Sequence, residues 1–473
     1  MKEYISNLKL ETETKAIVMG IHDENQNRII EPIINNLSER KEIYRFGEIT
    51  VFYPIDQFKT KKFIFIGLGK KEKYYLQDIQ SLFSKIAKAI DCDTVIDIDS
   101  FQCLESNIHL LCEKAVETID LVNYRFNDYK TNNVKEESFE ISIYSKEDVS
   151  QAILTGSIYA RGTNSARNLV NEPRNKMTPS ILADYAKDLA KEHNLSCDIY
   201  NKKEIEALGM GAFLAVNQGS KEEAKLIHLK YRNAENDPVT ALIGKGLTYD
   251  SGGYSLKPKN GMAGMKSDMG GAASVLGAIE IIARKQMKVN VDVIIAATEN
   301  LINSEAIVPD DVIVTMNGKT IEVLNTDAEG RLTLVDAVTY AKENNASKII
   351  DVATLTGGVV TALGTDITGA FTNNNDLLSE IKETSVKAGE AIWQLPVDAF
   401  REKCKKSDVA DYNNSPGREG HASFGAAIIA EFAEETPWVH LDIAGTCTKK
   451  ASHLLGPSGA TGVIVRTLAK IFE

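Results

Sequence analysis

Asp327 and Glu329 stand two residues apart in Asn325–Leu332, a stretch that sets two carboxylates and the Arg331 guanidinium beside Gly330. A strand-like run (319–324) precedes it, and a helix-like run from Leu332 to about Glu343 follows. Open α/β sheets usually keep their sites at such strand ends. On extended backbone, residues two apart point the same way, so the spacing predicts that the two carboxylates converge. Without a cation they would repel, and one would take up a proton. A metal ion removes that conflict, so the stretch reads as half of a metal site.

The other half lies upstream. An apolar run of buried-strand type, Val239–Gly244, leads into Lys245-Gly246-Leu247-Thr248-Tyr249-Asp250-Ser251-Gly252-Gly253. Lys257, Met265 and Asp268 follow, and then a long helix beginning near Gly270. The candidate ligands Lys245, Asp250, Asp268, Asp327 and Glu329 all fall at or just beyond predicted strand ends. Four carboxylates carry the charge to balance two divalent cations, and an all-oxygen acid set suits Mn²⁺, Mg²⁺ or Zn²⁺. None of the seven histidines falls in these clusters, which excludes a zinc protease of the HExxH type. Lys245 has two readings. It can ligate metal only as the neutral amine, which costs the loss of a proton whose usual pKa is about 10.4, or it can form a salt bridge to one of the acids. Lys257 by itself reads equally well as a solvated loop lysine.

Around these clusters the chain alternates strand and helix. Ala16–Gly20 and Phe63–Gly67 read as strands, the second running into Gly67-Leu68-Gly69. Lys70, Lys71 and Glu72 stand where a dinucleotide loop would continue its glycines, so a plain βα turn is the reading there. Phe139–Ile143 is a further strand-like run, and no chemical constellation occurs before residue 150. Apolar spacings of three and four predict a helix over 150–169, and Thr178 is placed to cap a helix that Pro179 opens. Buried strands are predicted over 289–297, 349–353 and 438–442. The expectation is an α/β protein of two domains. Residues 1–150 form a smaller, non-catalytic N-terminal α/β domain, 151–169 a linker helix, and 170–473 a larger α/β/α catalytic domain on a mixed, mainly parallel sheet.

The 473 residues exceed one ordinary core. The net charge of −12 and pI near 5.3 disfavour a broad nucleic-acid surface. No apolar run is long enough to cross a bilayer, and the N-terminus lacks the apolar region of a secretory signal. Six cysteines, with no CxxC pair, fit neither a zinc knuckle nor a disulfide framework. A cytoplasmic location is the expectation.

The segments Gly244–Gly253, Lys257, Met265–Asp268 and Asn325–Leu332 resemble the cytosolic leucyl aminopeptidase family of two-metal exopeptidases (the M17 type). Asn171-Glu172-Pro173, Ala353–Gly357, Ser407–Asp411 and His440–Thr446 extend the likeness over about 165–473. The resemblance implies a metal-dependent aminopeptidase, leucine-like residues preferred, with two divalent ions per subunit. These would be Mn²⁺ or Zn²⁺, with Mg²⁺ or Co²⁺ possible in the looser site. Asp250 and Glu329 would bridge both ions, Asp327 would complete the looser site, and Lys245 and Asp268 the tighter. A water bridging both ions would be the nucleophile, and an ion on the free α-amine would enforce exopeptidase action. Lys257 would stay charged and stabilise the oxyanion. Arg331 would hold a bicarbonate as the base, its fork matching a planar oxyanion; neutralising the acids of its own loop is a compatible role. Met265, Asn325, Thr354, Leu355, Gly357 and Ala444 would surround the peptide substrate. Cys447 would line the first side-chain pocket or be a core cysteine. The family forms homohexamers, which implies oligomer contacts for the N-terminal domain, and some bacterial members also bind DNA as regulators, which is the alternative function. Two segments depart from the family pattern. Asn303–Asp311 lacks an expected Arg-Pro-Gly-Asp, and His421 and Phe424 stand where glycine and threonine are usual. His421 is read as a helix-start or surface residue.

Overall fold

The computed structural model describes residues 3–5, 14–22, 41–54, 58–70, 73–102, 107–131, 139–415, 417 and 419–473. Lys71, Glu72 and Cys103 lie outside the described residues. The chain divides into two compact units, one of residues 1–161 with 451–457, the other of 162–450 with 458–473. The boundary falls inside the helix Ser150–Asn171, and the short segment 451–457 groups with the first unit.

The first unit is built on six strands. They are β1 (Glu3–Ile5), β2 (Ala16–His22), β3 (Ile49–Phe52), β4 (Lys62–Gly69), β5 (Thr94–Asp97) and β6 (Ile141–Tyr144), in the order β1-β6-β5-β2-β4-β3. All neighbours are parallel except the β3–β4 pair. Parallel strands are covered on both faces, which is why β2 and β4 read as near-continuous apolar runs. The helices Ile79–Ala89 and Ile108–Val122 bury Leu82, Phe83, Ile86, Leu111, Ala115 and Ile119 in this core. Gly67-Leu68-Gly69 forms the last residues of β4 itself, with Gly69 at φ +68°.

The second unit carries an eight-stranded mixed sheet. Its strands are β7 (Ser196–Tyr200), β8 (Lys225–Arg232), β9 (Val239–Asp250), β10 (Asn290–Asn300), β13 (Lys348–Ala353), β14 (Thr368–Thr372), β15 (Ile392–Gln394) and β17 (Trp438–Asp442). The order is β15-β14-β17-β13-β9-β10-β8-β7, with a parallel centre β17-β13-β9-β10. A small sheet of β11 (Val312–Val314), β12 (Thr320–Glu322) and β16 (Tyr412–Asn413) stands apart from it. The helices Gly270–Arg284, Gly330–Glu343 and His421–Ala433 are buried along almost their whole length. The first and third are accordingly mostly apolar all round, whereas Gly330–Glu343 buries Arg331 and Asp336 among its apolar residues. Close helix–sheet approach depends on glycine: a Cβ on Gly271 would lie 1.9 Å from the Val352 carbonyl oxygen. Thr178 caps the helix Pro179–His193 by accepting from the Ile181 N–H, as its position before proline predicts.

Two local expectations need correction. The strand around Val239–Gly244 does not stop before the polar cluster. β9 runs on to Asp250, so Lys245 lies within a strand. Its partner β13 covers it only as far as Gly244, while β10 continues to pair through Asp250. Beyond Gly244, β13 no longer pairs with β9, and Lys245 and Asp250 are nonetheless buried. Nor do Asp327 and Glu329 sit on extended backbone, because β12 ends at Glu322 and residues 325–328 form a turn. The Ala328 N–H donates to the Asn325 carbonyl, and the Asp327 N–H to Asn325 Oδ1. Such asparagine-led turns compete with strand continuation.

Candidate active site

The site gathers at the carboxyl ends of β9, β10, β13 and β17. Asp250, Asp327 and Glu329 each offer a ligand atom, all within 4.8 Å of one another. Lys245 Nζ lies 2.8 Å from Asp268 Oδ2, 3.0 Å from Glu329 Oε1 and 3.2 Å from the Thr354 carbonyl oxygen. Lys257 Nζ lies 2.7 Å from Asp250 Oδ2 and 2.6 Å from Asp327 Oδ1. Both of the lysine's sequence readings therefore have a geometric basis, and all five candidate ligands and Lys257 form one cluster. Gly330 makes room for it, because a Cβ there would come within 2.7 Å of Lys245 Nζ.

Electrostatics show what the cluster lacks. Burial pulls the Lys245 and Lys257 pKa values down, but the surrounding carboxylates outweigh it and hold both ammoniums well above the usual lysine range. Burial raises the Asp268, Glu329 and Asp327 carboxyls, and the Asp250 charge raises all three further against the opposing lysines. Cations and acids are thus both shifted upward, the signature of four acids outnumbering two lysines. Asp268 Oδ2 and Asp327 Oδ1 each meet one lysine, and among the described residues Glu329 Oε2 has no hydrogen-bond partner. Buried carboxylate oxygens in that state are costly. Divalent cations would supply both the missing charge and the missing partners, so the donor set fits them.

Arg331 stands apart from the acids beside it in sequence. It is 1% exposed, and burial lowers its pKa while the nearby acids oppose the shift. Its Nη1 donates to the Asn414 carbonyl at 2.8 Å, its guanidinium lies 5.8 Å from the Phe424 ring centre, and among the described residues its Nε has no partner. Among the described residues no ion pair joins it to Asp327 or Glu329, which act on it through their charge without direct contact.

Of the expected substrate residues, Thr354 donates to Asp268 Oδ1 at 2.7 Å. Leu355 and Ala444 share one anchor, since both N–H groups donate to Asp442 Oδ1 at 3.1 Å, while Thr356 Oγ1 donates to its Oδ2 at 2.7 Å. Gly357 opens the helix Gly357–Leu363, and Met265 opens the 3₁₀ turn Met265–Met269. Asn325 shapes the acidic turn. Cys447 is buried, with Sγ so near Gly270 that a Cβ there would lie 2.4 Å away.

Sequence reasoning passed over Asn300, Asn414 and Asp442, which orient the groups named above. Asn414 Oδ1 accepts from the Leu324 and Asn325 N–H groups, and its Nδ2 donates to the Asn325 carbonyl. Asp442 stands in the His440–Thr446 stretch that carries the family likeness but was given no role, whereas nothing in the local sequence marks Asn300 or Asn414; only the fold gives them partners. His421 opens the helix His421–Ala433 as expected, yet it packs against Gly358 within the field of Arg331.

An acid–lysine cluster at the carboxyl edge of a mixed, helix-covered sheet defines the class, a two-unit α/β metallohydrolase. The chain belongs to the cytosol aminopeptidase family: residues 164–469 match the family's catalytic domain and 22–133 its N-terminal domain. It is a hydrolase of the metal-dependent aminopeptidase type. Among solved structures it is similar to the bottromycin maturation enzyme BotP in complex with Mn, at 28% identity and a TM-score of 0.88, over 97% of this chain and 99% of that one. A second structure of BotP matches at the same identity and TM-score, covering 97% and 98%. No described helix is long and apolar enough to cross a membrane.

Proposed function

We propose that the protein removes N-terminal residues, leucine-like ones preferred, from peptides. The observation that carries this is the convergence of Asp250, Asp327 and Glu329 within 4.8 Å beside the buried Lys245–Asp268 pair. Asp250, Glu329 and Asp327 would hold one divalent ion, and Lys245, Asp268, Asp250 and Glu329 a second. When bound, two such ions polarise the scissile carbonyl and acidify a water. Lys245 must give up its proton to join them, and the positive charge of the ions favours that loss.

The remaining roles belong to the chain itself. Lys257 reaches over Asp250 and Asp327 from a partly exposed loop, so its ammonium can donate to the oxyanion as charge develops on the substrate carbonyl. Arg331 keeps an unpartnered Nε in a buried setting, which suits a planar oxyanion such as bicarbonate, a proton acceptor. The Leu355 peptide, anchored on Asp442, can present its carbonyl to the leaving amine. Met265, Thr354 and Cys447 would bound the first side-chain pocket.

The test is hydrolysis of a panel of aminoacyl p-nitroanilides by metal-stripped protein supplied separately with Mn²⁺, Zn²⁺, Mg²⁺ and Co²⁺. Leucyl substrate should be cleaved fastest with at least one of them. No release with any metal overturns the reading.

A further inference from the structure

Asn300 closes β10 and sits opposite Asp250. It does so because the β9–β10 register slips between Thr298 and Glu299, so that Glu299 pairs with Tyr249 and Asn300 with Asp250. Bulges of this kind re-aim side chains beside active sites. The Asn300 side chain is 2% exposed, and its Nδ2 makes two hydrogen bonds, 2.8 Å to Asp250 Oδ1 and 3.0 Å to the Thr326 carbonyl oxygen. An amide NH₂ has two protons, and both are used. One bond holds a carboxylate on β9, and the other holds the turn that carries Asp327 and Glu329.

Asp250 Oδ1 also accepts from the Gly252 N–H at 2.8 Å. With two donors on Oδ1, Oδ2 is the oxygen turned toward the cluster, where it meets Lys257 Nζ. Further bonds tie the same two segments. Thr326 Oγ1 donates to the Gly252 carbonyl at 2.7 Å and accepts from the Ser255 N–H at 2.8 Å. The Lys245–Asp268 pair has its own supports, the Thr354 hydroxyl and carbonyl, and Asn300 touches neither.

We infer that Asn300 is a positioning residue for the cation site formed by Asp250, Asp327 and Glu329, and that the second site, which shares Asp250 and Glu329 but keeps Lys245 and Asp268, depends on it less. This deepens the proposed function and rests on that reading. Outer donors to ligating carboxylates commonly set metal affinity by about ten- to a hundredfold.

Calorimetric titration of metal-stripped protein with Mn²⁺ tests the assignment. The wild type should bind two ions. Asn300→Ala, and Asn300→Leu, which keeps the volume but has no donor, should weaken one by about ten- to a hundredfold and the other, which also has Lys245 and Asp268, clearly less. Asn303→Ala, at an exposed asparagine three residues on, should match the wild type. Two unchanged sites in both Asn300 variants overturn the inference. So does equal weakening of both sites together with a lowered melting temperature of the metal-free protein, which would make Asn300 a general scaffold residue. A wild type that binds no Mn²⁺ overturns the underlying metal reading, and the inference with it.

Discussion

Two lysines twelve residues apart face the same acids from opposite conditions. Lys245 projects from a strand, has a 3% exposed side chain, and is held by Asp268, Glu329 and a backbone carbonyl. Lys257 projects from the following loop, has a 15% exposed side chain, and spans Asp250 and Asp327. The deep side is packed against Gly330, Thr354 and the Gly270 turn, while the loop side is reached from outside. A lysine fixed in strand geometry among converging oxygens suits metal ligation. A lysine on a loop, with fewer constraints on its stem, suits an ammonium that follows charge on a substrate. The same residue type thus takes two roles, decided by how firmly the backbone holds it.

The sharpest way to break that contrast is to remove each lysine. Lys245→Met should cost one of two bound metal ions and nearly all turnover. Lys257→Met should keep both ions and lose about 10²- to 10³-fold in kcat, the usual scale for one oxyanion donor. Metal content after dialysis, read beside kcat, checks both; loss of metal in Lys257→Met would erase the distinction. Arg331→Ala should retain metal, lose about 10²-fold in activity, the lower end for a positioned acid–base group, and recover part of it with added bicarbonate. Unchanged turnover in bicarbonate-free buffer would count against the anion role. On the deep side, Cys447→Phe should cut leucyl-substrate activity about ten- to a hundredfold, the range for a pocket that discriminates by size, while alanyl substrates lose much less. Equal losses would place Cys447 in the core rather than the pocket.

The smallest effect concerns His421. Burial, and secondarily the Arg331 charge, push its imidazole down to about 4, below the ordinary histidine value of about 6.5. Between those values the unfolded chain binds more protons than the folded one, so stability should fall as pH drops from about 6.5 toward 4. His421→Gln should flatten that acid limb in urea melts at pH 4.5 and 7. An identical slope in wild type and variant would show that the His421 imidazole is not depressed in the folded protein.

Much of the site is legible without coordinates because its chemistry is written in residue type. Four acids and two lysines in two short segments demand cations whatever fold carries them. The alternation of apolar runs likewise identifies the β9, β10, β13 and β17 strands, since strands buried on both faces must be continuously apolar. The Asp327–Glu329 convergence was right for a reason the sequence misassigned. The two carboxylates meet through an asparagine-led turn, not through strand periodicity, and turn geometry depends on Asn414 some ninety residues away.

Sequence alone therefore determined the charge inventory, the strand–helix alternation and the family likeness. Tertiary structure decided which lysine is deep, where Arg331 points, and that Asn300, Asn414 and Asp442 hold the rest in place. The physical reason is directional. A buried carboxylate or guanidinium takes its orientation from hydrogen-bond partners far away in the chain, and a single residue's type carries no information about who those partners are.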